Sequence, residues 1–317
     1  MTSKLSPPTF LLARPTRRSV LTAGLAGAGM LAAGITGHAR AAHAAPPGPR
    51  ALGRTGERLP AIGLALTSLD RRPEAQRSYL RNVLKAHWEA GGRVIDTSGL
   101  SGDSEHAFHD AATDLGIASE MFLSQRLRSA DGDDRQLQAT AARLRRDQID
   151  VLQVDDLADA EVAVPLLRRW KTAGKIRYVG VGHQDTRYFP AIEILMRNAG
   201  VDVVQVRYSI LTRTAEEHIL PLAAERGVGV IVTMPTEDGR LHQMVAGRPV
   251  PGWAAEFGAT TWTQFFLKYV LAHPAVTVAL PPAGSPAQVA QNMRALRGPL
   301  PDEEQRARMI DYLAATA

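Results

Sequence analysis

Gly174-Lys175-Ile176-Arg177-Tyr178-Val179-Gly180-Val181 is the stretch that decides the fold. Its glycine closes an amphipathic helical pattern, Val164–Ala173, and the β-rich run Tyr178–Val181 behind it reads as a strand. A second helical pattern, Phe189–Asn198, follows. The same unit recurs in both directions along the chain. Strands are expected near Ile62–Leu66, Arg93–Asp96, Phe122–Ser124, Val151–Val154, Val203–Val206, Gly229–Val232 and Val276–Leu280. Helical patterns fill the gaps at Gln76–Glu89, Gln136–Arg145, Ala215–Arg226, Thr263–Ala272 and Pro286–Leu296. Eight strands alternating with helices, without a linker, an internal repeat or a second composition regime, predict an α/β fold of the closed (β/α)8 TIM-barrel type. Ahead of the barrel, Arg50–Leu59 with the turn Arg54-Thr55-Gly56-Glu57 predicts a hairpin capping the bottom.

The first 44 residues belong to a different regime. They hold Lys4, Arg14, Arg17, Arg18 and Arg40 and no acidic residue, so they carry the whole formal charge of +5. The rest of the chain balances 32 acidic residues with as many basic ones. Bulk charge therefore gives no reason to expect a nucleic-acid partner. The pair Arg17-Arg18 precedes an uncharged stretch, Ser19 to Gly37, rich in Gly and Ala, and small-residue cleavage patterns follow at Ala39-Arg40-Ala41 and Ala42-His43-Ala44. This predicts a twin-arginine signal peptide over 1–44, a barrel domain over 45–317, and a periplasmic or secreted protein that meets the membrane only in transit. A retained membrane anchor is the competing reading, weakened by five glycines in the uncharged stretch. The chain has no cysteine, which excludes disulfides and thiol redox chemistry.

Leu52-Gly53-Arg54-Thr55-Gly56, Val94-Ile95-Asp96-Thr97-Ser98, Gly174 to Val181 and Leu271-Ala272-His273-Pro274-Ala275-Val276-Thr277 together resemble the aldo-keto reductase family over nearly everything after residue 50. The resemblance implies carbonyl reduction with NADPH. In the family a Tyr donates the proton, a Lys lowers the pKa of that Tyr, an Asp pairs with the Lys, and a His orients the carbonyl. Matched position by position, Asp96 keeps the Asp, while Ser101 stands at the Tyr, Arg126 at the Lys and Asp155 at the His.

Three of the four catalytic roles are thus vacated. Ser is shorter and far less acidic than Tyr. Arg stays charged and cannot shuttle a proton. An ionised Asp155 accepts where a donor is required. With Asp96, Arg126 and Asp155 charged, the mouth sums to −1, unfavourable for a developing alkoxide. The residue types alone suggest that Arg126 bridges Asp96 and Asp155 as a structural ion cluster. A strand-end His183 is a candidate replacement acid. A Mg2+ site on Asp96, Asp155 and Asp156 competes with Arg126 for the same oxygens, so no metal is expected. Trp170, Trp262, Phe265 and Phe266 read as helix packing.

For a dinucleotide, the resemblance points to His183, Gln205 and Thr233 around the nicotinamide and to Ser285, Gln288 and Asn292 at the adenosine end. Ser285-Pro286 also reads as an N-cap with Pro at the first helical position. Against NADP stand Pro282, which lacks a backbone donor, the absence of basic residues at 285 and 288, and the carboxylates of Thr236-Glu237-Asp238-Gly239 near the pyrophosphate path. The sequence therefore predicts an exported aldo-keto-reductase-like barrel that binds a small molecule or a protein partner and is impaired as a carbonyl reductase. The alternative is a divergent NAD(P)H-dependent oxidoreductase.

Overall fold

The computed structural model describes residues 48–67, 73–127 and 134–316; the twin-arginine segment and its cleavage patterns lie outside the described residues. The hairpin is present. Strands β1 (Arg50–Ala51) and β2 (Arg58–Leu59) pair antiparallel with Arg50 opposite Leu59. The turn is closed by Leu52 N donating to Glu57 O over 2.8 Å and by the Thr55 hydroxyl donating to Leu52 O over 2.7 Å. Gly53 has φ 53°, and a Cβ there would lie 2.2 Å from the carbonyl oxygen of Gly227, so glycine is what lets the turn seat on the barrel.

Eight parallel strands follow: β3 (Leu64–Thr67), β4 (Val94–Gly99), β5 (Phe122–Leu127), β6 (Ile149–Val154), β7 (Ile176–His183), β8 (Val203–Arg207), β9 (Gly229–Thr233) and β10 (Val278–Leu280). Parallel bridges from Ile62 to Ala279 and from Ala65 to Pro282 close the ring. Helices α1 (Pro73–Glu89), α2 (Asp103–Asp114), α3 (Asp134–Arg143), α4 (Ala160–Thr172), α5 (Phe189–Asn198), α6 (Ile219–Arg226), α7 (Arg240–Met244), α8 (Trp262–Ala272), α9 (Pro286–Met293) and α10 (Glu303–Ala314) surround it.

The expected strands and helices are all present, with shifted ends. Ala215–Arg226 divides into a 3-10 turn, Thr214–Glu216, and α6. Pro221 has no N–H to give, so the helix restarts just ahead of it and the proline falls in the first turn. Three helices are additional. α2 escapes periodicity because Asp103, Ser104, Glu105, His106 and His109 interrupt a stripe made only of Ala107, Phe108, Ala111 and Ala112. Trp253, Trp262, Phe265, Phe266 and Tyr312 pack edge-on, tilted or, for Trp262 on Phe266, stacked where α8 meets the C-terminal helix, which is the packing role expected of the α8 aromatics.

Strand alternation fills the barrel in layers. At the bottom, Leu52 and Leu59 of the hairpin meet Val94, Phe122, Val151, Val203, Ile231 and Val278 in one apolar cluster. Two residues further along come Asp96, Ser124, Gln153 and Gln205, all buried. Two more bring Ser98, Arg126 and Asp155 to the mouth, and Thr233, two beyond Ile231, joins them there. A polar middle layer above an apolar plug is costly unless its groups are paired; of these four side chains, Gln153 Oε1 is the atom left buried without a partner among the described residues, and the pairing of the rest fixes the site.

Candidate active site

The middle layer is a hydrogen-bonded chain. Gln153 Nε2 donates to Ser124 Oγ at 2.7 Å and to Gln205 Oε1 at 2.6 Å, and Gln205 Nε2 donates to Asp96 Oδ2 at 2.8 Å. The second oxygen of Asp96 accepts from Ser98 N at 2.9 Å. Gly180 makes this possible, since a Cβ there would come within 2.6 Å of Gln153 Cγ. Gln153 was not foreseen, although a lone amide at an inward position of Ile149-Asp150-Val151-Leu152-Gln153-Val154, where Asp150 is the other polar residue, was a readable signal.

Above this layer the mouth opens into a cavity of about 560 Å3 whose lining includes Leu66, Tyr79, Asp96, Arg126, Gln205 and Thr233. Arg126 approaches Asp155 at 3.5 Å, and the Asp155 side chain is 45% exposed. Arg126 forms no ion pair with Asp96, whose two oxygens are taken by Gln205 and Ser98. The bridging cluster suggested by residue types is therefore replaced by one loose pair and one carboxylate held by neutral donors.

Ser101 is exposed and does not line the cavity. It sits where the chain turns into α2, its N–H donating to Ser104 Oγ at 3.0 Å and its carbonyl accepting from the same hydroxyl at 2.7 Å. His183 is also off the cavity. Gly180 faces inward, so the period of two carries Gly182 inward and His183 toward the helices. There its Nδ1 accepts from Asp185 N at 2.9 Å and its ring packs on Tyr188 at 4.1 Å between centroids. Gln184 lines the mouth instead. Tyr79 of α1 lines it too, with its hydroxyl donating to Ala283 O at 3.0 Å; inside a helical pattern nothing marked it out.

A second cavity of about 520 Å3 adjoins the first, sharing Asp238 and Pro282, and is lined by His242, Gln288 and Asn292 among others. The three residues expected at the adenosine end also organise the loop ahead of α9. Ser285 Oγ accepts from Gln288 N at 3.3 Å, Gln288 Oε1 accepts from Gly284 N at 2.6 Å, and Asn292 Nδ2 donates to Pro282 O at 3.1 Å. Burial holds the His242 imidazole below its ordinary pKa.

Between the cavities runs the loop after β9. Met234, Glu237 and Asp238 all have left-handed backbones, with φ 54°, 54° and 49°. Such clustered strain in residues other than glycine marks a position over-determined by its surroundings. Glu237 does not present its charge to the cavity. It turns inward, pairs with Arg207 and accepts from Ser209 Oγ at 2.5 Å. Burial alone would raise its pKa, but the hydrogen bonds from Arg207, Ser209 and Thr212 outweigh it and hold the carboxyl below the usual range. Of the two loop carboxylates, Asp238 alone faces the groove. No cluster of three or more His, Cys, Asp or Glu suited to a metal occurs among the described residues, and Asp156 caps a 3-10 turn through Ala158 N at 2.9 Å.

Comparison with known proteins agrees with this architecture. The sequence model of the Aldo/keto reductase family matches residues 61–311. An NADH-specific methylglyoxal reductase of Escherichia coli is 35% identical over 91 residues, 29% of this chain and 27% of that protein. A probable aldo-keto reductase of Glycine max is 28% identical over 132 residues, 40% of this chain and 37% of its own length. The matches thus span well under half of these curated relatives. Among solved structures, an aldo-keto reductase of Klebsiella pneumoniae in complex with NADP and acetate superposes with a TM-score of 0.70 at 24% identity, covering 84% of this chain and 95% of that one. The holo form of an aldo-keto reductase from Bacillus halodurans gives 0.66 at 23% identity, covering 85% and 97%. With the family model spanning nearly all of the barrel, the chain belongs to the aldo/keto reductase family.

Proposed function

We propose that this protein is an exported member of the family that binds a nicotinamide dinucleotide and a small molecule in its barrel mouth and is strongly impaired in carbonyl reduction. The observation that carries the reading is the mouth itself: a cavity continuous in its lining with an outer cleft, in which Ser101 takes no part and Asp96 is turned to Gln205 rather than to Arg126. The two cavities give an elongated groove. Thr233 Oγ1 and Ser98 Oγ are buried there without a partner, which suits a ligand carrying amide or hydroxyl groups. Gln205 is the residue in question at the nicotinamide end, because both ends of its amide are engaged within the protein.

Bound there, a reduced nicotinamide would supply hydride; the protein's task is to place a carbonyl and deliver a proton. Neither the guanidinium of Arg126 nor the carboxyl of Asp155 is a phenol or imidazole placed to do so. The described residues lining the outer cleft include no Lys or Arg, so a 2′-phosphate would find no cation among them. Twin-arginine export of residues 1–44 belongs to the same reading, on the strength of Arg17-Arg18 and the small-residue sites.

A second reading, a divergent NAD(P)H-dependent oxidoreductase, is favoured by Tyr79, a phenol that reaches the same cavity from a different element. One experiment separates the two. Purified protein is titrated with NADH and NADPH by fluorescence, then assayed with methylglyoxal and simple aldehydes. Binding with turnover at least ~10³-fold below an active relative fits the first reading, since positioned acid and oxyanion stabilisation are both missing. Robust reduction abolished by Tyr79→Phe establishes the second, and absence of binding to either dinucleotide sinks both.

A further inference from the structure

Given that the mouth takes a small molecule, as proposed above, we infer that Arg126 anchors a carboxylate on that molecule and that Asp155 holds the carboxylate's place when no ligand is bound. Three other partly buried arginines are tightly paired, whereas Arg126, like the more exposed Arg143, is not. Arg177 bonds Asp150 at 2.7 Å and also closes on Glu57; Arg207 closes on Glu237; Arg306 reaches Glu216 at 2.5 Å. Arg126 is as withdrawn from water as Arg306, at 19% against 16% side-chain exposure, yet its nearest carboxylate oxygen is 3.5 Å away. Charge-assisted bonds run near 2.7–2.9 Å, and its guanidinium makes none to a described residue. A planar cation is thus left under-compensated at the mouth.

The surroundings say what fills the gap. Asp96 lies in the same cavity, but both its oxygens are occupied. Asp155 is half in water and is held by no other side chain among the described residues, so it can swing aside at little cost. An incoming carboxylate can form the bidentate pair that Asp155 does not. Ser98 Oγ and Thr233 Oγ1, buried without partners in the same lining, provide donors for a polar group beside that carboxylate. Leu66, Tyr79 and Leu280 offer an apolar wall to a short carbon chain. The ligand class is a short 2-oxo or 2-hydroxy acid.

The probe is pyruvate, with 2,3-butanedione as its neutral isostere, titrated by calorimetry into the protein alone and into protein saturated with NADH. Pyruvate is expected to bind at least ~10-fold more tightly than butanedione, and Arg126→Gln to remove at least ~10-fold of that affinity, the loss of a charge-assisted pair. Asp155→Asn, which removes the competitor, is expected to tighten pyruvate binding, an effect that a merely structural pair would not produce. Arg126→Lys, which keeps the charge without the fork, serves as the variant least able to disturb folding and should fall between wild type and Gln. Equal binding of the two probes, no binding of pyruvate, undiminished binding by a folded Arg126→Gln protein, or weaker binding by Asp155→Asn overturns the inference. Dinucleotide binding without carboxylate preference defeats this inference alone, whereas loss of dinucleotide binding as well defeats the functional reading beneath it.

Discussion

Gln205 Nε2 donates to Asp96 Oδ2 over 2.8 Å in the centre of the barrel, joining strands β4 and β8 across the ring. The amide is oriented by its other end, which accepts from Gln153 at 2.6 Å. Gln205→Leu would leave a buried carboxylate with a single backbone donor and leave Gln153 short of an acceptor. Stability should fall by about 2–3 kcal/mol, because hydrogen bonds to a buried charge are the costly ones to lose. Urea unfolding monitored by circular dichroism measures it, and a change below about 0.5 kcal/mol would mean that the amide chain is water-compensated.

Two histidines outside the site set the acid limit. His87 in α1 is almost wholly buried with Nε2 unpartnered, and burial takes its pKa from 6.5 to about 4. His109 in α2 is also brought to about 4, first by burial and then by Arg145 and Arg146 nearby. A folded pKa below the unfolded one means that the unfolded chain binds the extra protons. Stability from these groups is therefore full above pH 6.5 and is lost as pH falls toward 4, by about 3 kcal/mol for each histidine. Melting temperatures of wild type and of His87→Gln and His109→Gln between pH 7 and 4 should converge, the variants losing less on acidification.

Lys268 of α8 gives the opposite end of the scale. It is fully buried, its Nζ donating to Arg297 O at 2.6 Å and Pro299 O at 2.9 Å, and burial lowers its pKa from 10.5 to about 8. Below pH 8 both folded and unfolded chains carry the proton and the desolvation penalty is complete. Between 8 and 10.5 only the unfolded chain keeps it, so wild type should gain stability with rising pH relative to Lys268→Met, approaching about 3 kcal/mol over that window. Parallel pH profiles of the two proteins would exclude a buried ammonium.

The barrel was legible because inward and outward positions alternate with period two and helices fill the intervals, a pattern that survives single polar residues. Strand ends alone place Asp96, Arg126, Asp155, His183, Gln205, Thr233 and Pro281 at one mouth; five of the seven line it, while Pro281 lines the adjoining cleft and His183 lines neither. What failed was pairing. Residue types suggested that Arg126 would take both carboxylates, but a carboxylate chooses the donor its backbone can reach, and for Asp96 that donor is an amide on the far strand. His183 was misplaced by one step of the same alternation, set by Gly180 giving its inward space to Gln153. Tyr79 was invisible because only tertiary packing turns that face of α1 to the mouth.

Restoring the family's residue types tests how much of the reductase remains. Arg126→Lys with Asp155→His should stay nearly silent, because no positioned acid has been added and Asp96 remains engaged by Gln205 and Ser98. Adding Ser101→Tyr supplies a phenol just ahead of α2, two residues after Gly99 of the mouth lining. The triple variant should therefore reduce methylglyoxal with NADH at least ~10²-fold faster than the double variant, the usual contribution of a positioned general acid, with dinucleotide affinity unchanged. The comparison is made by single-turnover kinetics after fluorescence titration has fixed saturation. Equal rates for double and triple variants, both saturated, would show that Ser101 stands too far from the mouth for any side chain at that position to act there.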